Sequence, residues 1–137
     1  VEYIDDMKEL IAKSDVISLH VPANPQTKGM FNDELFGLMK KKAMLINTSR
    51  ADVIDEDALI KAVKEKGIMA GVDVFKGGPE GKDGAVTSKL QNIEGIYVTH
   101  HIGASTEQAQ DAVAEETIKI IVDYKKTGTI LHQVNKK

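Results

Sequence analysis

The sequence has 137 residues, with 18 lysines and arginines against 21 aspartates and glutamates, for a formal net charge of -3 at pH 7. A chain of this length supports one domain with a real core, and its nearly balanced charge excludes a basic surface for nucleic acid or an anionic membrane. It contains no cysteine, which excludes disulfides and zinc–thiolate sites and fits a reducing compartment. No apolar run reaches the ~18 residues of a membrane span, and no signal peptide is visible. We therefore expect a soluble, cytoplasmic globular protein with no nucleic-acid or membrane partner.

The first part of the chain alternates two predicted helices with two predicted strands. A helix follows Asp5, and a strand over residues 16–21 is stopped by Pro22. Asn32, a favourable cap, begins a second helix, and a strand over residues 43–47 comes after it. Such alternation is typical of βα units around a parallel sheet.

The middle of the chain continues this pattern and then becomes irregular. Asp55 is predicted to cap a third helix that ends at Gly67. A third strand is predicted over residues 69–75. Residues 76–89 are rich in glycine, and an irregular segment of this length in a compact domain is usually functional or disordered.

A fourth strand, over residues 96–99, leads into a long final helix. Ser105 to Gln108 resemble a capping box at the start of this helix, and Gly128 follows it. The order of elements predicts an α/β fold, a partial Rossmann-like parallel sheet of about four strands flanked by helices. The first strand is expected at an open edge, and open edges tend to pair with another chain, which predicts a homo-oligomer.

Polar side chains follow the second and fourth strands at the edge of the sheet where ligands bind. Arg50 lies just after the second strand, and His101 lies just after the fourth. A guanidinium can hold a carboxylate through two parallel hydrogen bonds, and an imidazole exchanges protons near neutral pH. The pair predicts chemistry on a small acid. The alternative for Arg50 is a surface salt bridge with Asp52 or Asp55.

The other histidines are interpreted as structural or surface groups. Adjacent residues on an extended segment point to opposite sides, so His100 is expected to be a partly exposed residue at a strand end, not a second base. His20 and His132 are separate from this pair. Four scattered histidines without a carboxylate motif predict no metal site.

Four segments of the chain resemble the D-2-hydroxyacid dehydrogenase family, most closely the C-terminal part of its D-3-phosphoglycerate dehydrogenase branch: residues 14–22, 45–50, 71–75 and 101–110. The segments keep the family's order and spacing. The resemblance implies an NAD-dependent oxidoreductase that oxidises a small D-2-hydroxy acid, D-3-phosphoglycerate of serine biosynthesis in that branch. It makes residues 1–137 the C-terminal half of the NAD-binding domain, without the glycine-rich first half or the substrate domain. We therefore expect a fragment that is inactive when isolated.

The resemblance also implies roles for individual residues. Arg50 corresponds to the arginine that orients the substrate, and His101 to the catalytic acid/base. Asp73 corresponds to the aspartate that contacts the nicotinamide end of the cofactor, and its alternative role is to cap local backbone amides. The remaining positions implied to line the cofactor cleft are Val21, Pro22, Thr48, Ser49, Gly103 and Ala104.

The sequence departs from the family pattern beside the histidine. Gly78 stands where the family has the glutamate that orients the histidine ring, and Glu80 is an alternative carboxylate. His100 stands where the family commonly has proline. Two other functions remain open. The chain could be a non-catalytic α/β module that self-associates through its open strand edge, or a corepressor-like binding protein of the same superfamily.

Overall fold

The computed structural model describes residues 2–78 and 88–135. The chain divides into two compact units, Val1–Ile102 and Gly103–Lys137. The first unit holds the sheet and the candidate site, and the second holds the long C-terminal helix. No helix within the described ranges has the length and apolar content needed to cross a bilayer.

The order of helices and strands confirms the predicted α/β fold, with one additional 3-10 turn after the second strand. The elements are α1 (Met7–Lys13), β1 (Val16–Leu19), α2 (Asp33–Leu38), β2 (Met44–Asn47), the 3-10 turn (Ala51–Val53), α3 (Glu56–Lys66), β3 (Met69–Val72), β4 (Ile96–Val98) and α4 (Glu107–Thr127).

The four strands form one parallel sheet in the order β1-β2-β3-β4. β1 lies at an edge of this sheet, as predicted. The strands are shorter than predicted: β1 ends at Leu19, β3 at Val72 and β4 at Val98. The difference at β3 arises because the amide of Asp73 donates a last bond to the carbonyl of Asn47 (2.9 Å) before the chain turns away.

Local capping explains most helix boundaries. The side chains of Asn32 and Asp55 accept bonds from the first amides of α2 and α3, and Gly67 ends α3 in the left-handed conformation with φ 65°. The predicted capping box at Ser105 is wrong. Thr106 is the N-cap of α4, because its hydroxyl accepts the amide of Ala109.

One face of the sheet is buried, and the opposite face carries exposed apolar side chains. The register places Leu45, Ala70 and Ile96 side by side, and all three belong to the hydrophobic core with residues of α2 and α3. On the other face, Met44 and Tyr97 are exposed. The helices of the first unit pack in sequence, α1 on α2 and α2 on α3.

Lys66 connects the end of α3 to the end of α2. Its ammonium group donates to the carbonyls of Phe36 (3.0 Å), Gly37 (2.7 Å) and Met39. Phe36 and Gly37 lie in the last turn of α2 and Met39 is its C-cap, a region where backbone carbonyls lack the full set of partners within the helix. In the second unit, α4 has no buried residue, so the predicted apolar side formed by Val113, Ile120, Ile121 and Tyr124 is not buried.

Candidate functional site

The turn after β2 is built by a buried asparagine. Asn47 has no exposed surface, and its side-chain oxygen accepts bonds from the amide (3.0 Å) and hydroxyl (2.7 Å) of Ser49. Its side-chain nitrogen donates to the carbonyl of Arg50 (3.0 Å). These three bonds fix the backbone from which the Arg50 side chain projects.

Arg50 is exposed at the carboxyl edge of the sheet. One guanidinium nitrogen, Nη1, donates to the carbonyl of Ser49 (2.7 Å). Among the described residues Arg50 forms no ion pair, so the structure does not contain the alternative salt bridge with Asp52 or Asp55. Asp55 instead caps α3. The guanidinium therefore keeps donors for a carboxylate ligand.

The turn after β4 is held by Asp73, which is buried at the end of β3. One oxygen of its carboxylate, Oδ1, accepts the hydroxyl of Thr99 (2.5 Å) and the amide of Ile102 (2.9 Å). These two residues flank the histidine pair. Asp73 therefore binds a backbone amide, as its alternative role implies, but that amide is distant in sequence and not local. Its contact with a cofactor stays a prediction.

His101 has a left-handed backbone with φ 56°. We expected both histidines on an extended segment, and for His101 this expectation is wrong. The physical reason is the Asp73 carboxylate, which accepts the Thr99 hydroxyl before the histidine pair and the Ile102 backbone amide directly after His101, and so holds a turn at this point. A non-glycine residue in this region is uncommon, and such conformations cluster at functional sites.

A cavity of about 190 Å³ brings the two predicted catalytic residues together. Arg50 and His101 both line it, at the carboxyl edge of the parallel sheet. His100 is not among its lining residues. The other described residues that line this cavity are Ala51, Asp73, Val74, Phe75 and Gly78.

The positions predicted to line the cofactor cleft do not all meet in this cavity. Val21 is half-buried and Pro22 is exposed, beyond the end of β1, while Thr48 and Ser49 belong to the turn after β2. None of these four residues lines the cavity. Gly103 and Ala104 belong to the second unit, and Glu80 lies outside the described residues.

The sequence did not indicate a role at the site for Phe75 or Glu56. Phe75 lines the cavity beside Gly78 because the chain turns after β3, whereas the sequence predicts a strand over residues 69–75. Glu56 has the position of an ordinary acidic residue in the first turn of α3, yet it is buried. Glu56 and its partner Lys76 are twenty residues apart in the sequence, so no local pattern indicates the hydrogen bond between them.

A second cavity, of about 740 Å³, lies at the opposite edge of the sheet, near the amino ends of β3 and β4. Met69 and Tyr97 contribute to its wall. Ligands of open parallel sheets bind instead at the carboxyl edge, which favours the smaller cavity. Within the described ranges, no group of three or more His, Cys, Asp or Glu side chains could hold a metal ion.

The chain is similar to curated dehydrogenases. It is 46% identical over 115 residues to "D-3-phosphoglycerate dehydrogenase 2, chloroplastic" from Arabidopsis thaliana. This aligned region covers 82% of this chain and 18% of the relative. It is 38% identical over 133 residues to D-3-phosphoglycerate dehydrogenase from Escherichia coli (strain K12), covering 96% of this chain and 32% of the relative. The chain thus spans about a third or less of the length of these curated relatives.

Solved structures of the same class share the fold. D-lactate dehydrogenase with NAD+ from Lactobacillus jensenii matches with a TM-score of 0.75 at 26% identity, over 96% of this chain and 42% of that one. A D-isomer specific 2-hydroxyacid dehydrogenase from Xanthobacter autotrophicus Py2, in complex with NADPH and MES, matches with a TM-score of 0.71 at 28% identity, over 94% and 51% of the two chains.

The model of one family matches residues 1–103, and it describes the "D-isomer specific 2-hydroxyacid dehydrogenase, NAD binding domain". This match covers the whole sheet and the turns that carry Arg50 and His101. The chain therefore belongs to the NAD-binding domain family of the D-isomer specific 2-hydroxyacid dehydrogenases.

Proposed function

We propose that this chain supplies the substrate-orienting and acid/base residues of an NAD-dependent dehydrogenase that oxidises a D-2-hydroxy acid. The observation that carries the proposal is the shared cavity of Arg50 and His101 at the carboxyl edge of the sheet. Both side chains are exposed, and neither forms an ion pair among the described residues. They are therefore available to a ligand.

The reaction removes two hydrogens from the alcohol carbon and its oxygen. Arg50 holds the substrate carboxylate through two parallel hydrogen bonds and so fixes the position of the neighbouring carbon. His101 takes the hydroxyl proton onto its imidazole as the C=O bond forms. NAD, when bound, would supply the acceptor for the hydride that leaves the same carbon. The oxidised product is a 2-oxo acid, and the proton remains on His101 until it is released to water.

The residues present fit one end of the cofactor. The cavity of about 190 Å³ is smaller than the ~300–1,000 Å³ of typical ligand pockets, so it suits a small acid beside one ring and not a dinucleotide. Asp73 lies in its wall and is the residue that would face the nicotinamide end. Val21, Pro22, Thr48 and Ser49 follow neighbouring strands and would border the rest of the cleft. The 137 residues contain no Gly-x-Gly-x-x-Gly turn, so these residues account for no pyrophosphate contact.

D-3-phosphoglycerate is the proposed substrate. The support is the similarity to curated D-3-phosphoglycerate dehydrogenases at 36–46% identity. Among the described residues that line the cavity, Arg50 is the one lysine or arginine, and one guanidinium serves one carboxylate. A distal phosphate therefore needs partners beyond these described lining residues.

A chimera tests the proposal. This chain replaces the matching segment of the Escherichia coli relative, and NADH formation is measured with D-3-phosphoglycerate and with D-lactate. We expect activity that Arg50→Ala and His101→Asn each lower by about 10²-fold or more, because each removes a group that acts on the reacting substrate. Arg50→Lys should not restore activity, since lysine cannot form the bidentate pair.

His100→Asn is the matched control for His101→Asn, because it changes the neighbouring ring outside the cavity. It should leave most of the activity. An active chimera whose rate is unaffected by Arg50→Ala would contradict the role of Arg50. If the chimera is inactive and Gly78→Glu makes it active, the missing glutamate is the defect. Inactivity of both proteins would refute the proposed function.

A second candidate function is self-association through β1, which lies at the sheet edge with Val16 57% exposed. Unpaired edges offer backbone donors and acceptors to another chain. Sedimentation separates the two functions: a stable dimer with no measurable NAD binding favours the non-catalytic module. A monomer that binds NAD at micromolar concentration contradicts it.

We also propose that the protein is cytoplasmic. A chain without cysteine forms no disulfides and so fits a reducing compartment. The Arabidopsis relative, by contrast, is named as chloroplastic.

A further inference from the structure

The buried polar side chains of the described residues all lie around the candidate site. They are Asn47, Glu56 and Asp73. Asn47 holds the turn that carries Arg50, and Asp73 holds the turn that carries His101. Glu56 belongs to neither turn. A buried carboxylate is costly unless its oxygens are hydrogen-bonded, so its partners indicate what it stabilises.

Glu56 lies in the first turn of α3, and its side chain is 4% exposed. Its Oε1 accepts the backbone amide of Lys76 (2.7 Å), across twenty residues of sequence. Its Oε2 lies 4.0 Å from the ammonium of Lys89, which forms its closer ion pair with Asp57 at 2.6 Å. The amide bond to Lys76 is therefore the direct contact of Glu56, and the lysine adds a weaker one.

Lys76 lies inside a tight turn that forms part of the cavity wall. The amide of Gly78 donates to the carbonyl of Phe75 (3.1 Å), and Gly77 has φ 74°, in the left-handed region. Phe75 and Gly78 line the cavity together with Arg50 and His101. Because Lys76 lies between Phe75 and Gly78, its bond to Glu56 fixes this turn against α3.

We propose that Glu56 is a positioning residue for the candidate site, where its carboxylate holds the Phe75–Gly78 turn in the wall of the cavity. This inference rests on the proposed function. Each of three segments that line the cavity is then fixed by one buried polar side chain. Loss of the Glu56 bond lets the turn move, and a displacement of about 1 Å near the reacting atoms can lower a rate by about 10²-fold.

The test compares two substitutions of Glu56 with one of its neighbour. Glu56→Met keeps the length of the side chain and removes the acceptor, whereas Glu56→Gln keeps an acceptor oxygen for the Lys76 amide and removes the charge. Asp57→Asn is the matched control: it removes the neighbouring charge in the same helical turn, and Asp57 does not contact Lys76. Each change is made in the active chimera and in this chain alone.

In the chimera we expect Glu56→Met to lower kcat by about tenfold or more at 25 °C, under conditions where the protein is still folded by circular dichroism. Glu56→Gln should restore most of kcat, and Asp57→Asn should change it less than twofold. Equal kcat for Glu56→Met and Asp57→Asn would overturn the proposal, as would failure of Glu56→Gln to restore activity in a folded protein.

Amide hydrogen exchange in this chain supplies a measurement that needs no activity. Exchange at Lys76 should become about tenfold faster or more in Glu56→Met, because a hydrogen bond to a charged acceptor is lost. It should be unchanged in Asp57→Asn. Unchanged exchange at Lys76 in Glu56→Met would overturn the positioning role even if the enzyme is active. A chimera that is inactive both with and without Gly78→Glu, combined with the expected exchange pattern, would contradict the proposed function and leave the contact of Glu56 supported.

Discussion

Replacing His101 with glycine should stabilise the first unit while it removes the proposed acid/base. His101 has φ 56°, a region that costs an L-residue roughly 1–2 kcal/mol and glycine almost nothing. Glycine also costs roughly 0.5–1 kcal/mol through the extra freedom of the unfolded chain. The His101 side chain is exposed, so little packing is lost. The net expectation for His101→Gly is a gain of up to about 1.5 kcal/mol in the free energy of unfolding.

His100→Gly is the matched control, since His100 is exposed and does not have a positive φ. There only the entropic cost of glycine applies, and we expect a loss of about 0.5–1 kcal/mol. Urea unfolding followed by far-ultraviolet circular dichroism measures both values in a chain that lacks tryptophan. Opposite signs would support a strained turn at His101. Equal destabilisation by both substitutions would refute the left-handed conformation and the role given to Asp73.

Three further predictions concern the surroundings of the site. Lys66→Met should lower the free energy of unfolding, measured in urea, by about 2 kcal/mol, because three carbonyls at the end of α2 lose a charged donor. Lys64→Met is the control: Lys64 is exposed on α3, and its replacement should change the free energy of unfolding little. Gly78→Ala should lower the free energy of unfolding by about 1–3 kcal/mol in the same assay, since a Cβ at this position would lie 3.0 Å from the Phe75 carbonyl oxygen. An unchanged free energy of unfolding would show that the turn adapts freely. The hydrogen bond to Asp57 raises the pKa of Lys89 above its usual value of 10.5. The stabilisation that this ion pair gives to the folded chain is therefore complete below the unfolded pKa of Lys89 and is lost as the pH rises through the raised, folded-state pKa. The Tm difference between the native chain and its Asp57→Asn variant should therefore shrink above about pH 10.4.

The parts of the fold that depend on local interactions were predictable from the sequence. Asn32 and Asp55 cap helices because their short polar side chains reach amides two and three residues ahead, and Gly67 ends a helix because it adopts a left-handed conformation at little cost. The strand ends were not predictable in the same way. They depend on which neighbouring strand still offers a partner, as the single bond from Asp73 to the carbonyl of Asn47 shows.

The candidate site was predictable to a similar extent. Parallel strands deliver their carboxyl ends to one edge, which is why Arg50 and His101 could be expected to share a cavity. The left-handed backbone of His101 could not be expected, because it depends on hydrogen bonds from its neighbours to Asp73, which is far away in sequence. Glu56 looked like an ordinary acidic residue at a helix start, and its role depends on a backbone amide twenty residues later.

The site separates the groups proposed to act on a ligand from groups that hold the backbone. Arg50 and His101 are exposed at the cavity, whereas the buried Asn47, Glu56 and Asp73 direct their described hydrogen bonds to neighbouring turns. An exposed charged group adds little to stability, and a buried hydrogen-bonded one adds much more. Apart from the backbone effect of glycine at His101, substitutions of the first kind should therefore change the rate with little change in the free energy of unfolding, and substitutions of the second kind should change both. A large loss of stability on replacing Arg50 would contradict this division, because the guanidinium would then be part of the framework and not reserved for the substrate.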